Sequence, residues 1–161
     1  MKIAVVYYSL EGNTKFVAKK IAERLSADLI ELKCVKAYPT GKVSKFLWGG
    51  KSVTFGEKPA LIPYNFNADD YDAVIIGSPV WASKYAPPLK TFFAENDISG
   101  KKLGFFVCCA GGKTDKCFAE MKRDAKHEGA ATLNLVDPLK NQTPENEAKI
   151  DKFCEKLKEA L

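Results

Sequence analysis

Short apolar runs alternate along the chain with segments of helical periodicity. Residues 2–8 (KIAVVYY) form a β-branched and aromatic run, which is typical of a strand buried on both faces. Residues 14–25 then change to helical spacing, because Val17, Ile21 and Leu25 recur every four positions. The same reasoning predicts further strands at 28–33, 71–77, 102–109 and 132–136, and further helices at 87–94, 115–127 and from 144 onward.

The alternation of five strands with helices predicts an α/β fold. Parallel strands need crossover connections, so we expect a parallel sheet with helices on both faces, formed as one domain by residues 1–161. Thr143, Pro144 and Glu145 supply an N-cap, a first-turn proline and a first-turn acid for the last helix. The irregular region 37–67 contains an apolar patch that predicts a short helix around Val43, Phe46, Leu47 and Trp48.

The composition is that of an ordinary globular protein, with 46% hydrophobic and 28% charged residues among 161. No apolar run approaches the roughly 20 residues of a membrane span, and the first residues read as a strand rather than a signal peptide. We therefore expect a cytoplasmic protein without membrane insertion.

The charge and the cysteines restrict the kinds of ligand. The net charge is +5, but the basic residues are spread along helices, so we expect no nucleic-acid surface and some attraction for anionic ligands. The five cysteines contain no C-x-x-C pair, and the chain has a single histidine. We therefore expect no metal site and reduced structural thiols.

Three loops are expected at one edge of the sheet, because ligands of open α/β sheets bind at the carboxyl ends of strands. They follow the first, third and fourth strands and read SLEGNT at 9–14, SPVWASKY at 78–85 and AGGKTD at 110–115. All three are rich in Gly, Ser, Thr or aromatic residues. Their coincidence at one edge predicts a ligand site better than any one of them does.

The first loop has two interpretations. A turn into a helix N-terminus presents free backbone N–H groups and the positive end of the helix dipole, and Gly12 allows close backbone approach, which together suit a phosphate. Alternatively, the loop is a plain capped turn with Asn13 or Thr14 as the helix cap. The stretch contains neither a Walker A motif nor a G-x-G-x-x-G fingerprint.

Three segments of the sequence resemble, in the same order, the flavodoxin-like family. They are the Gly-Asn-Thr triplet at 12–14, the G-S-P-V-W segment at 77–81 with the A-P-P-L that follows, and the C-A-G-G segment at 109–112. The resemblance covers essentially the whole chain. It implies a three-layer, doubly wound five-stranded parallel sheet of order 2-1-3-4-5 that binds FMN. No insertion splits the fifth strand, as in the short-chain type.

The resemblance implies that residues of the three loops bind FMN. No metal ion takes part in the expected site. The implied phosphate loop is Ser9, Leu10, Glu11, Gly12, Asn13 and Thr14. The implied flavin loops are Ser78, Pro79, Val80, Trp81 and Ala82, and then Cys109, Ala110, Gly111 and Gly112. Glu11 is expected to point outward, since a carboxylate cannot face a phosphate dianion. Trp81 is expected to border the isoalloxazine, although a tryptophan there can also simply cover the core.

The implied function is electron transfer through bound flavin, and two mechanisms remain open. A one-electron carrier would need only redox partner proteins, whereas an NAD(P)H-dependent FMN or quinone oxidoreductase would pass a hydride to a small acceptor. The second loop lacks the glycine whose peptide flips in carriers, and Lys84 and Lys113 would favour two-electron reduction. An oligomer would fit the oxidoreductase.

Two further points concern the flavin face and a remoter alternative. The AGGKTD loop lacks the tyrosine that often stacks on the outer flavin face, so that face is open to nicotinamide or quinone unless Trp48 or a neighbour covers it. A flavin-free signalling module of the same topology would need a phosphoacceptor aspartate after the third strand, where the sequence has Gly77-Ser78-Pro79.

Overall fold

A twisted arrangement of parallel strands and helices positions the site. The computed structural model describes residues 1–40, 51 and 56–161. Its strands are β1 (Ile3–Tyr7), β2 (Asp28–Glu31), β3 (Ala73–Trp81), β4 (Lys84–Tyr85), β5 (Lys102–Cys109) and β6 (Ala131–Val136). Its helices are α1 (Asn13–Leu25), α2 (Pro87–Glu95), α3 (Asp115–Ala125) and α4 (Pro144–Ala160), with a 3₁₀ turn at Ala68–Asp70.

The five predicted strands pair in parallel in the order β2-β1-β3-β5-β6. Counted without β4, this is the predicted order 2-1-3-4-5. The register runs through the middle of the sheet, where Val5 of β1 pairs with Leu29 of β2 and with Ile75 of β3. The winding direction reverses between β1 and β3, which is where ligands bind in sheets of this kind.

Helices cover both faces of the sheet and confirm the three-layer fold. On one face α1 and α4 pack over Ile3, Val5 and Tyr7 of β1, and on the other face α2 and α3 pack over Ala4 and Val6. The alternation follows from the two-residue period of a strand buried on both sides. The predicted capping of the last helix is also observed, because the Thr143 hydroxyl oxygen accepts a 3.2 Å bond from the Asn146 N–H.

The second predicted loop is largely strand, which corrects the expectation for residues 78–85. β3 continues through Trp81 because Ser78 and Pro79 still pair with Val107 and Cys108 of β5. The chain then reverses through Ala82 and Ser83 and returns as β4, antiparallel to β3. We call residues 78–85 the hairpin.

The region 37–67 is described only in part. The predicted short helix around Val43, Phe46, Leu47 and Trp48 lies outside the described residues. Further along, Ala60 and Ile62 bond to the chain that follows β2, with Val35 N–H donating to the Ala60 carbonyl at 2.9 Å. None of the described helices combines the length and apolar character of a transmembrane span. All five cysteines are buried and free.

Candidate functional site

A cavity of about 610 Å³ opens at the carboxyl ends of β1, β3 and β5. This volume lies in the range of small-molecule sites, about 300–1,000 Å³. All three predicted segments contribute to its lining, with Ser9, Leu10, Glu11, Asn13, Thr14, Pro79, Val80, Trp81, Ala82, Cys109 and Ala110. Four predicted residues do not line it: Gly12, Ser78, Gly111 and Gly112.

A second depression, of about 730 Å³, lies along α3 and is bordered by Lys122, Arg123 and Lys126. It lies away from the carboxyl edge of the sheet, and it contains no buried polar atom that lacks a partner. We therefore treat the cavity at the strand ends as the candidate site.

The N-terminus of α1 is uncapped and opens on the cavity. Gly12 is the N-cap residue, with a φ of 99°, and no side chain caps the helix. The interpretation of this loop as a turn capped by Asn13 or Thr14 is therefore wrong. Among the described residues, none accepts a bond from the first backbone N–H groups of the helix, at positions 13–15. These donors and the positive end of the helix dipole are available to an anion.

The Thr14 hydroxyl is the orphaned polar group of the site. Thr14 is 1% exposed and lines the cavity, yet its Oγ1 makes no hydrogen bond. Burial raises the pKa of the Cys108 thiol to about 12, and the nearby Thr14 hydroxyl acts in the opposite direction. No hydrogen bond of acceptable geometry joins the two groups. An unpaired buried hydroxyl costs about 1–3 kcal/mol, so its position favours a partner supplied by a ligand.

Ser78 fixes the hairpin rather than lining the cavity. Its fully buried hydroxyl donates to the Pro79 carbonyl at 2.8 Å and accepts from the Ala86 N–H at 2.8 Å. The hairpin thereby holds Pro79, Val80 and Trp81 at the cavity wall. Ser78 therefore has a positioning role in the site that the sequence predicted.

Trp81 lies between the cavity and the core, and its contact with the isoalloxazine stays a prediction. Its ring lines the cavity and also packs edge-on against Tyr38 and Tyr8, with ring centroids 5.2 and 5.7 Å away. These contacts hold the indole in one orientation at the edge of the core. Tyr38 comes from the region 37–67, so part of that region stands behind the aromatic wall.

The hairpin is also tied to α3. The Tyr85 phenol donates to the Asp124 carboxylate, and Lys84 Nζ lies 3.4 Å from Glu120 Oε1. Burial raises the pKa of Asp124, but hydrogen bonds from Arg123 and Tyr85 outweigh it and hold that pKa below its usual value. Because Lys84 is paired with Glu120, the carboxylate offsets part of the positive charge that Lys84 would bring to the cavity.

The charges that line the cavity differ from those expected. Neither Lys84 nor Lys113 lines it; among the described residues, the ionisable lining groups are the acids Glu11 and Asp137, the base Lys140, and the thiols. Glu11 is exposed, in keeping with an outward orientation. The electrostatic argument for a reduced anion next to two lysines therefore loses its basis.

The third segment contributes its first residues only. Cys109 and Ala110 line the cavity, and the Cys109 thiol donates a 3.8 Å contact to the Leu135 carbonyl. Gly111 and Gly112 are exposed beyond the rim, with φ of 129° and 93°. A side chain at either would meet no protein atom within 4 Å, so packing within the protein does not require these glycines and their positive φ suits the turn.

Sequence reasoning missed a fourth segment, residues 137–141, which we call the bridging turn. Asp137, Leu139 and Lys140 line the cavity. The turn joins the other loops, because Asp137 N–H donates to the Cys109 carbonyl at 2.9 Å and Leu139 N–H donates to Asn13 Oδ1 at 3.0 Å. It follows the carboxyl end of β6, and this edge was the signal that could have identified it.

Comparisons with known proteins agree with this geometry. A family model described as flavodoxin matches residues 2–155. The fold is similar to that of a Bacteroides eggerthii protein proposed to be a flavoprotein (22% identity, 96% of each chain, TM-score 0.77). It is also similar to a Lactobacillus acidophilus flavoprotein in complex with FMN (21% identity, 94% of this chain and 97% of that chain, TM-score 0.76).

A third similar structure is the two-electron reduced flavodoxin of Megasphaera elsdenii (19% identity, 96% of this chain and 97% of that chain, TM-score 0.60). At these identities the likeness concerns the fold. No curated relative matches the sequence.

Proposed function

Because the chain belongs to the flavodoxin family, we propose that it binds FMN in the cavity at the carboxyl edge of the sheet and transfers electrons through it. The observation that carries this proposal is the buried Thr14 hydroxyl without a partner, at the uncapped N-terminus of α1. A phosphate placed there would accept from this hydroxyl and from the free N–H groups of the first helical turn.

The rest of the cavity fits a flavin. Pro79, Val80 and Trp81 contribute apolar and aromatic lining, and Cys109 and Ala110 line the cavity as well. A site of this kind binds a planar, mostly apolar ring system and orients it with a few polar contacts. FMN supplies the redox chemistry when bound, and the protein sets its orientation and access. The flavoprotein of Lactobacillus acidophilus with a similar fold was solved with FMN.

A second candidate function is that of an NAD(P)H-dependent FMN or quinone oxidoreductase, and the hairpin favours it. Ala82 and Ser83 have positive φ without being glycine, and Ser78 and Tyr85 hold the strands on both sides. A hairpin fixed in this way resists the peptide rearrangement that carriers use. Under the carrier proposal the partners are redox proteins; under the second they are NAD(P)H and a small acceptor, and an oligomer fits. In both cases we propose one cytoplasmic domain.

Anaerobic titration of FMN-loaded protein with dithionite, and then with NADPH, tests both functions. We expect the absorbance spectrum to show FMN bound at one equivalent. A stable one-electron-reduced flavin that does not react with NADPH would contradict the oxidoreductase. Rapid bleaching by NADPH with no one-electron-reduced flavin would contradict the carrier. A protein that binds no FMN would contradict both.

A further inference from the structure

The bridging turn places one cation at the cavity. Of the described residues that line the cavity, Lys140 is the only lysine or arginine, and it shares the lining with the carboxylates of Glu11 and Asp137. Glu11 is exposed, so the carboxylate that a phosphate dianion would meet in the cavity is that of Asp137. The position of Lys140 therefore decides how well such a ligand is tolerated.

The backbone that carries Lys140 is fixed by local hydrogen bonds. Lys140 N–H donates to the Asp137 carbonyl at 2.9 Å, and Asn141 Nδ2 donates to the Val136 carbonyl at 3.0 Å. Gln142 Nε2 donates to the Leu139 carbonyl at 3.0 Å. These bonds hold the backbone of the turn, so contact with a ligand orders the Lys140 side chain but requires no ordering of its backbone.

The bridging turn meets the N-terminus of α1 directly. Leu139, the neighbour of Lys140, bonds through its N–H to Asn13 Oδ1, and its Cδ1 lies 3.2 Å from the position that a Cβ would take at Gly12. Lys140 is thus next in the chain to the residue that touches the proposed phosphate loop twice. Within residues 1–40, 51 and 56–161, the Lys140 ammonium has no ion-pair or hydrogen-bond partner.

We propose, on the basis of the proposed function, that Lys140 contacts the phosphate of FMN as its counter-charge and determines the preference for FMN over riboflavin. The helix N-terminus and the Thr14 hydroxyl supply neutral donors, and Lys140 supplies a formal positive charge to a cavity whose lining also holds the Asp137 carboxylate. Because the contact involves the phosphate and not the ring, its loss changes FMN affinity and leaves riboflavin affinity unchanged.

The test compares Lys140→Gln with the wild type by flavin fluorescence quenching, using FMN and riboflavin in parallel at low salt. We expect Lys140→Gln to weaken FMN binding about tenfold or more, to leave riboflavin binding within about twofold, and to lower the salt dependence of FMN binding. Lys140→Arg should retain FMN binding. Lys113→Gln is the matched control, since Lys113 is an exposed loop lysine that does not line the cavity.

Unchanged FMN affinity in Lys140→Gln would overturn the inference while leaving the proposed function intact, and so would an equal loss for FMN and riboflavin. The apo-protein is also titrated with inorganic phosphate, followed by the amide NMR signals of Gly12, Asn13 and Thr14. If the wild type binds phosphate but no FMN, the proposed function fails, and a weaker phosphate response in Lys140→Gln still supports the anion contact. If the wild type binds neither, both fail.

Discussion

The phenol of Tyr85 donates a hydrogen bond to the carboxylate of Asp124, and this contact joins the hairpin to α3. Tyr85 is buried, and Asp124 also accepts from the guanidinium of the neighbouring Arg123. The hairpin also carries Trp81, which lines the cavity. The bond between Tyr85 and Asp124 therefore helps to hold Trp81 in place.

We predict that Tyr85→Phe lowers the free energy of unfolding by about 1.5–3 kcal/mol at neutral pH, because it removes a hydrogen bond to a charged group. The pKa of Asp124 is lowered in the folded protein, so its contribution to stability is present above the pKa of the unfolded state and is lost as pH falls through the folded value. Urea denaturation should therefore show a larger difference at pH 7 than at pH 3.

Tyr71→Phe is the matched control for that variant. Its phenol donates to Asp28, which is exposed, so a smaller difference is expected at both pH values. An equal effect of Tyr85→Phe at pH 7 and pH 3 would mean that the phenol acts through packing and not through the carboxylate.

Gly12→Val should abolish FMN binding in a protein that still folds. The φ of 99° is strained for any side chain, and a Cβ would lie 3.2 Å from Leu139 Cδ1, so the backbone of the proposed phosphate loop must rearrange. Equilibrium binding and circular dichroism measure the two effects. Gly100→Val serves as control, because a Cβ there meets nothing within 4 Å. Tight binding by Gly12→Val would place the phosphate elsewhere.

Thr14→Val should have opposite effects on stability and on binding. Replacing an unpaired buried hydroxyl with a methyl group is expected to raise the stability of the apo-protein by about 1 kcal/mol while weakening FMN binding. Thr91→Val is the matched control, since the buried Thr91 hydroxyl donates to the Pro59 carbonyl at 2.7 Å and its loss should destabilise. Thermal unfolding of both apo-variants tests the stability prediction. If Thr14→Val is less stable than the wild type, the Thr14 hydroxyl has a partner within the protein.

Ser83→Gly should stabilise the apo-protein by about 0.5–1 kcal/mol. Ala82 and Ser83 form a two-residue hairpin turn with φ of 48° and 64°, a geometry for which glycine and asparagine are preferred. The gain is reduced by the greater freedom of glycine in the unfolded chain. Urea denaturation measures it, with Ser99→Gly as control, because Ser99 does not have positive φ and bonds to Asp97. A loss of stability in Ser83→Gly would contradict this account of the turn.

Periodicity was enough to predict the strands of the parallel sheet and the four described helices, whereas the strand order was implied by the resemblance to the flavodoxin-like family. It failed at the hairpin. The apolar run predicted a strand that ends at residue 77 and a loop at 78–85, whereas pairing with β5 extends β3 into this stretch and Ala82 and Ser83 lie in the left-handed region. The pairing partner is nearly 30 positions away, so no local pattern reveals it.

The candidate site was predicted in its main parts, from the principle that strand carboxyl ends share one edge. The bridging turn was missed although it follows the last strand on that edge, because only the loops after the first, third and fourth strands were taken as candidates. The roles of Ser78 and Lys84 were also out of reach, since burial and the pairing of Lys84 with Glu120 depend on how α3 packs against β4.

The bond between Asn13 and Leu139 spans 126 positions in the sequence, and this separation bears on how the protein is made. On a ribosome the phosphate loop is synthesised early, but the turn that completes its wall emerges only after six strands have been translated. The proposed site therefore stays incomplete until the bridging turn has been made. A product that terminates before residue 137 would lack this part of the lining, and we expect it to bind flavin more weakly.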